Sequence, residues 1–126
     1  MPKTDCGYIP LEGELSHEPR KKDYTSNVQI DDFKLECLEN MILLAQSKNV
    51  PIVIIASPKY GRQSSEELSP AFEICRRHQV PIIDYYAHPL FMQHREWFKE
   101  AMHLNSTGAR EYSRIVSGMI AKQLNN

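Results

Sequence analysis

Regular spacing of hydrophobic residues is found from Asp31 onward. Between positions 33 and 45, apolar residues recur every three or four positions, which predicts an amphipathic helix. Asp31 or Asp32 is the expected N-cap of this helix, and Asn49-Val50-Pro51 is its expected stop. The residues predicted to form its inner face are Phe33, Cys37, Leu38, Met41, Ile42 and Ala45.

Two apolar runs farther along the chain predict strands. The first, residues 52–56, is mostly β-branched, so we expect a strand with both faces buried, as in a parallel sheet covered by helices. The second strand is predicted over residues 80–85. Between them, residues 69–79 predict a helix with Ser69 as its cap and Pro70 in its first turn.

The C-terminal part of the chain predicts one more helix. Residues 88–97 are rich in aromatic side chains and predict a loop or a short helix, and the last helix is expected to begin near Asn105 or Ser106. The order of elements is therefore helix, strand, helix, strand, loop and helix. This alternation indicates an α/β fold, with parallel strands and helices on the faces of the sheet. The apolar stripe of the last helix consists of Ala109, Tyr112, Ile115, Val116, Met119 and Ile120.

The chain is divided into a loop-rich entry segment, residues 1–29, and an α/β unit, residues 30–126. The entry segment has no sustained periodicity, and only a short strand at Tyr8-Ile9 is predicted within it. Two parallel strands are too few for a stable sheet. We therefore expect further strands from the entry segment, from another chain or from residues outside this sequence. A strand edge left open predicts a homo-oligomer that hides it, or pairing by the entry segment.

The composition is that of an ordinary globular protein. The chain is 41% hydrophobic and 25% charged, with a net charge of −1, so nothing indicates binding to nucleic acid or to an acidic membrane surface. The longest apolar stretch, residues 50–56, is far shorter than the roughly 20 residues of a membrane span. No signal peptide opens the sequence, which leaves a cytoplasmic protein or one whose leader was removed.

The three cysteines do not form a recognisable pattern. Cys6, Cys37 and Cys75 are widely spaced and include no CxxC pair, so neither a zinc ribbon nor a disulfide framework is predicted. Cys37 and Cys75 fall on apolar helix faces, where we expect small buried thiols. No metal site is predicted from the histidines, because His78, His88 and His94 share no ligand spacing with a cysteine or carboxylate.

A carboxylate and an imidazole lie three residues apart after the second predicted strand, at Glu100 and His103. Ester hydrolysis by a nucleophilic serine needs such a pair, because imidazole takes the proton from the hydroxyl while the carboxylate binds the other ring nitrogen. Their spacing lets both groups come from one loop. Asn105 follows closely and is expected to cap the last helix, with contact to a substrate as the other interpretation.

The string Glu-x-x-His-Leu-Asn-x-x-Gly-Ala at residues 100–109 resembles the last conserved block of SGNH/GDSL-type ester hydrolases, in which an aspartate usually replaces Glu100. The resemblance implies a flavodoxin-like three-layer α/β/α sandwich, present here as its C-terminal half. It also implies that His103 is the general base and Glu100 the acidic triad member. The implied reaction is hydrolysis of an ester or O-acetyl bond in a small-molecule or carbohydrate substrate, without a metal or organic cofactor.

The Gly-Asp-Ser motif that supplies the nucleophile in this family does not occur in the sequence, and neither do its oxyanion motifs. Neither Ser57 nor Ser64-Ser65 lies in a strand-to-helix turn of the required kind. The serine is therefore expected outside these residues, and the chain alone is expected to be inactive. Two other classes stay open. One is a non-catalytic α/β binding or assembly module. The other is a flavodoxin- or receiver-like domain for a phosphate-bearing ligand, although this sequence lacks a Gly-rich loop after a strand.

Other side chains are expected near the carboxyl ends of the strands, where ligands gather in open α/β sheets. Ser57 follows the first strand and is a candidate substrate contact. Asp84 ends the second strand and is expected to cap the following turn. The aromatic residues Phe91, Trp97 and Phe98 are expected either to line an acyl pocket or to pack against the end of the sheet.

Overall fold

The computed structural model describes residues 8–16 and 31–124. Two 3₁₀ turns, Glu66–Leu68 and Arg95–Trp97, accompany the helices and strands of this part of the chain. In chain order, these elements are α1 (Asp32–Ser47), β1 (Ile54–Ala56), α2 (Ser69–Arg77), β2 (Ile82–Asp84), α3 (Pro89–Met92), β3 (Phe98–Glu100), β4 (His103–Leu104) and α4 (Ser106–Leu124).

Strands β1 and β2 pair in parallel, and helices cover both faces of the pair. Ile54 lies opposite Ile82, and both pack against the cluster that α1 and α2 build. The neighbouring side chains point to the other face, where the Tyr85 hydroxyl contacts Met119 of α4. The predicted α/β class and the order of the first four elements are therefore confirmed.

Helices α1 and α2 end in the same way, and each leads directly into its strand. Asn49 and Gln79 follow the helices with φ of 55° and 58°, in the left-handed region. The next amide then donates back into the helix, from Val50 to Ala45 O at 2.9 Å and from Val80 to Cys75 O at 2.8 Å. At the other end of α1, Asp31 Oδ1 accepts the Phe33 amide at 2.8 Å, which confirms the predicted cap.

The strands are shorter than the predicted ranges 52–56 and 80–85, and β1 is only half-buried. The ladder starts at Ile54, whose amide donates to Pro81 O at 3.0 Å. Parallel pairing through Ile54 and Ala56 turns the N–H and C=O of Ile55 away from β2. No described strand meets them, and we call this side the open edge of β1. The strand is less buried than predicted because it has one neighbour among the described residues, which leaves its other edge exposed although helices lie on both faces.

The inner face of α1 also differs from the predicted one. Ile42 is fully buried, whereas Phe33 is 69% exposed, Met41 is 47% exposed and Cys37 is exposed. Leu35, Leu38 and Ile42 turn toward the core, and the ion pairs of Glu39 with Arg77 and His78 lie on the side of the helix that meets α2. The prediction was wrong at Phe33, Cys37 and Met41 because α1 carries apolar residues on two faces.

Two smaller expectations in this region are corrected or confirmed. Ser69 is the first helical residue of α2 and not its cap, because the preceding 3₁₀ turn accepts its amide at Glu66 O and leaves Leu68 as the capping residue. Cys75 is fully buried, as predicted, and burial raises the pKa of its thiol. Cys6 lies outside the described residues.

The contact between α1 and α2 predicts how acid affects stability. Glu39 accepts hydrogen bonds from His78 Nε2 at 2.7 Å and from the Arg77 guanidinium at 3.2 Å. The bond from His78, followed by the charge of Arg77, holds the pKa of Glu39 below its ordinary value of 4.5. A carboxyl with a lowered folded pKa stabilises the fold above its unfolded pKa, and this contribution is lost as the pH falls through the folded value.

We therefore expect the urea concentration at half-unfolding to decrease when the pH is lowered below 4.5. The decrease should be smaller in Glu39→Gln. Glu36→Gln is the matched control, because Glu36 lies on the same helix and has no ion-pair partner among the described residues. Identical acid dependence in the Glu39 and Glu36 variants would contradict the prediction.

Candidate functional site

A short antiparallel hairpin carries the candidate catalytic pair. The sequence predicted a loop here, but Phe98 pairs with Leu104 and Glu100 pairs with His103, with an irregularity in register between the two pairs. The turn of the hairpin contacts the segment that follows β1, because the Tyr60 amide donates to Ala101 O at 2.8 Å. The hairpin therefore lies at the carboxyl end of the parallel strands.

Glu100 and His103 contact each other on the outer surface of the hairpin. The Glu100 carboxylate oxygen Oε1 meets His103 Nδ1, and the two side chains are 50% and 64% exposed. In a neutral imidazole this contact places the proton on Nδ1, so Nε2 is left as an acceptor. No other described residue bonds the ring. The pair can therefore accept a proton at Nε2 from a group that approaches from solvent.

Asn105 is buried and does not face solvent. It is 5% exposed, and its Oδ1 accepts the Gly108 amide at 3.0 Å, which is the predicted helix-cap contact. Its Nδ2 donates to Gly13 O at 2.9 Å and to Glu96 O at 2.7 Å. Because the amide group has used its donors and its acceptor within the fold, this conformation offers no group to a substrate.

Ser57 and Asp84 lie at the carboxyl ends of β1 and β2, as predicted. Ser57 Oγ is exposed and lies 3.1 Å from the Tyr112 hydroxyl, whose pKa is raised by burial and lowered less strongly by this hydrogen bond. Asp84 accepts the Ser65 hydroxyl at 2.6 Å and the Tyr86 amide at 3.0 Å, so it caps the turn after β2. No hydrogen bond among the described residues joins Ser57 to His103.

The aromatic residues near the hairpin form a buried cluster. Phe91 and Phe98 are fully buried, and Tyr60 packs on Phe98 with ring centroids 5.2 Å apart. Trp97 stacks on His94 with centroids 3.9 Å apart. The acyl-pocket interpretation was therefore wrong for Phe91 and Phe98, because these side chains hold the hairpin against α3 and the loop after β1.

Of the other described histidines, His78 and His94 each bind one carboxylate, and His88 binds a backbone amide. His94 Nδ1 lies 2.7 Å from Glu96 Oε1, and this hydrogen bond is the main reason why the pKa of Glu96 is lowered. His88 Nδ1 accepts the Leu90 amide at 3.2 Å and caps α3. Among residues 8–16 and 31–124, no group of three or more His, Cys, Asp or Glu side chains could hold a metal ion. In the same ranges, no helix has the length and apolar character of a membrane span.

Residues 8–16 contribute to the site in a way that the sequence did not predict. The Leu15 amide donates to Phe98 O and the Ser106 amide donates to Leu11 O, both at 2.8 Å. Ser106 Oγ also donates to Glu12 Oε1 at 2.6 Å. The expected strand at Tyr8-Ile9 is reduced to an isolated bridge at Tyr8. These contacts are largely through the backbone, so only the apolar Leu11 and Leu15 gave a sequence signal for them.

Gly108 allows α4 to pack directly against the hairpin. A Cβ at this position would overlap the Trp97 carbonyl oxygen and lie 2.8 Å from Trp97 Cβ, closer than real contacts allow, with Leu104 Cδ2 at 3.0 Å. Gly118, on the same helix, has no atom within 4 Å of an added Cβ. The two glycines therefore form a matched pair for substitution by alanine.

We expect Gly108→Ala to lower the free energy of unfolding by about 1–3 kcal/mol through overpacking. Gly118→Ala should raise it by roughly 0.5–1 kcal/mol, because alanine restricts the unfolded chain and favours the helix. Urea titrations followed by far-UV circular dichroism measure both changes. Equal effects of the two substitutions would show that α4 does not pack on Trp97 and Leu104 through Gly108.

Comparisons of the chain with family models, with curated proteins and with solved structures found no match. Its function must therefore be inferred from its own residues and from the geometry described above.

Proposed function

We propose that this chain carries the acid–base pair of an ester hydrolase of the SGNH/GDSL type, with His103 as general base and Glu100 as the carboxylate that orients it. The observation that supports this most directly is the contact of Glu100 with His103 Nδ1, which leaves Nε2 facing solvent. The location of the pair at the carboxyl end of parallel strands also supports it, because open α/β sheets bind ligands there.

In this proposal His103 transfers protons, and Glu100 stabilises the positive charge that His103 carries when protonated. Nε2 takes the proton of a serine hydroxyl as the serine oxygen attacks the ester carbonyl, and the imidazolium then gives that proton to the departing alcohol. Water hydrolyses the acyl-serine in the second half of the reaction, with His103 taking a proton from water and returning it to serine. Glu100 stabilises the imidazolium in both halves and keeps the ring in the Nδ1–H tautomer.

The proposal assigns the nucleophile to polypeptide other than these residues. The family's Gly-Asp-Ser motif does not occur in the sequence. Ser57, the serine that directly follows β1, is hydrogen-bonded to Tyr112. The proposal includes a flavodoxin-like three-layer sandwich, of which the α/β unit is the C-terminal half. The substrate class is a small-molecule or carbohydrate ester, including O-acetyl groups, and no metal or organic cofactor is required.

A non-catalytic binding or assembly module is the second candidate. The observations that favour it are the absent Gly-Asp-Ser motif and the exposure of both members of the pair, since an acid–base pair in a working site is usually enclosed by substrate-binding groups. This candidate predicts that Glu100 and His103 form a surface ion pair without a chemical role.

Expression together with the flanking coding sequence tests the two candidates. The product is assayed with p-nitrophenyl acetate and with an O-acetylated sugar, and the 126-residue chain is assayed beside it. We expect a Gly-Asp-Ser strand in the flanking sequence and turnover that the chain alone lacks. A product without that serine or without turnover would support the non-catalytic module. Turnover by the chain alone that depends on His103 would contradict the assignment of the nucleophile elsewhere.

We also propose that a second copy of the chain covers the open edge of β1 in the 126-residue chain alone, whereas a strand of the flanking polypeptide takes that place in the longer product. The described part of the entry segment binds the hairpin instead, and α1 exposes the apolar side chains Cys37 and Met41. Light scattering should then give a mass of at least twice 14.6 kDa. Ile55→Pro removes the outward amide without touching the bonds of β1 to β2, and it should give a folded monomer. A monomeric native chain, or a complex with a different polypeptide only, would contradict this proposal.

A further inference from the structure

Asn105 joins three parts of the molecule beside the candidate base. It follows β4 directly, caps α4 through Gly108 and binds residues 8–16 through Gly13 O. We propose that Asn105 is a positioning residue for His103 and that it acts by fastening residues 8–16 to the hairpin. This inference rests on the proposed function, because it names what holds the base of that site in place.

The first support is the number of bonds that converge on Asn105. Its side chain donates to two carbonyls, Gly13 O and Glu96 O, from segments that are far apart in the sequence. Its backbone amide donates to Trp97 O at 2.9 Å, and its carbonyl accepts the Ala109 amide at 2.8 Å. Every polar group of this buried residue is therefore paired, and the loss of any one partner leaves a buried group unsatisfied.

The second support is the weakness of the hairpin without these contacts. Strand β4 comprises only His103 and Leu104, and an isolated two-stranded hairpin is marginally stable in water. Among the described residues, the side chains of Glu100 and His103 form a hydrogen bond only with each other. Their relative position is therefore determined by the backbone of the hairpin, and Asn105 is the first residue beyond it that is fixed from several sides.

The third support is that residues 8–16 bind both ends of the hairpin. Leu15 bonds Phe98 at the beginning of β3, and Leu11 bonds Ser106 just after β4. Leu15 also packs against the cluster that contains Phe91 and Phe98. Asn105 binds Gly13 between these two points, so its amide connects the middle of the segment to the hairpin.

The test is the substitution Asn105→Asp in the full 126-residue chain. Aspartate keeps the oxygen that caps Gly108 but loses the two donors and opposes the carbonyls of Gly13 and Glu96 with a negative charge. The ring nitrogens of His103 are observed by ¹⁵N NMR, which distinguishes the Nδ1–H from the Nε2–H tautomer. Amide exchange at Leu15 reports whether residues 8–16 stay bound.

We expect a loss of the Nδ1–H signal of His103, about tenfold faster exchange at Leu15 and an unchanged ring signal of His78. An unchanged His103 ring together with faster exchange would overturn the proposal, because Asn105 would then be a structural residue only. If Asn105→Asp does not fold, Gly13→Ala serves instead, because it strains a residue at φ 113° on the opposite side of the same bond. It should change the His103 signal in the same direction, and no change would overturn the proposal.

The two proposals can fail separately. Absence of ester hydrolysis in the co-expressed product would contradict the function, whatever the state of the His103 ring. A His103 ring that does not respond to changes at Asn105 and Gly13 would contradict the positioning role, even in an active hydrolase.

Discussion

Replacing His103 by alanine should reduce kcat for ester hydrolysis by on the order of 10⁶-fold in the product that contains the nucleophilic serine. The reason is that Nε2 of this ring is the proposed acceptor of the serine proton, and no other described imidazole shares its place at the hairpin. Glu100→Gln should cost less, on the order of 10⁴-fold, because the ring remains but its tautomer and charge are no longer supported. Initial rates with p-nitrophenyl acetate at saturating concentration measure both losses.

His94→Ala is the matched control for this prediction. His94 also contacts a glutamate through Nδ1, at 2.7 Å from Glu96, but it stacks on Trp97 and lies outside the hairpin. We expect its kcat to stay within about a factor of two of the native value. A His103→Ala enzyme that retains most of its activity, or equal losses in the two variants, would show that His103 is not the base.

Replacing Phe98 by alanine should lower the free energy of unfolding by about 3–5 kcal/mol, the largest stability effect that we expect in the chain. Phe98 is fully buried, begins β3 and packs on Tyr60 with ring centroids 5.2 Å apart. Its removal takes apolar surface out of the cluster and leaves a cavity beneath the hairpin. Urea unfolding followed by tryptophan fluorescence measures the change, since Trp97 is the neighbouring residue.

Phe33→Ala provides the comparison, because Phe33 is 69% exposed on α1. We expect its effect to lie within about 0.5 kcal/mol of zero. A loss at Phe98 no greater than that at Phe33 would mean that the hairpin does not pack on the cluster of Phe91 and Tyr60. Phe98→Ala should also disturb the Glu100–His103 contact, because Phe98 anchors the strand that ends in Glu100.

The parallel strands and the helices that precede them could be predicted from local sequence. The apolar runs of β1 and β2 are bounded by residues that end helices, and the left-handed Asn49 lies where the stop was predicted. The cap at Asn105 and the contact between Glu100 and His103 follow from spacing alone. In each of these cases the residues that cause the structure lie within a few positions of it in the sequence.

The face of α1 and the hairpin could not be predicted in the same way. Helix α1 has apolar residues on two sides, and packing of Ile42 against the distant residues Ile74 and Cys75 decides which side is buried. Strands β3 and β4 are three and two residues long, too short to show a period of alternating polarity. They form because Phe98 enters a buried cluster and because residues 8–16 bind their backbone, and both causes are distant in sequence.

Prolines at both ends of the β1 segment limit what its open side can do. Pro51 and Pro58 have no amide hydrogen, so only residues 52–57 between them can take part in a ladder with an added strand. So short a stretch limits the number of backbone hydrogen bonds that an added strand can make on the side of β1 that carries the outward N–H and C=O of Ile55. The ladder that this β-branched segment can form with a second copy is therefore confined to residues 52–57.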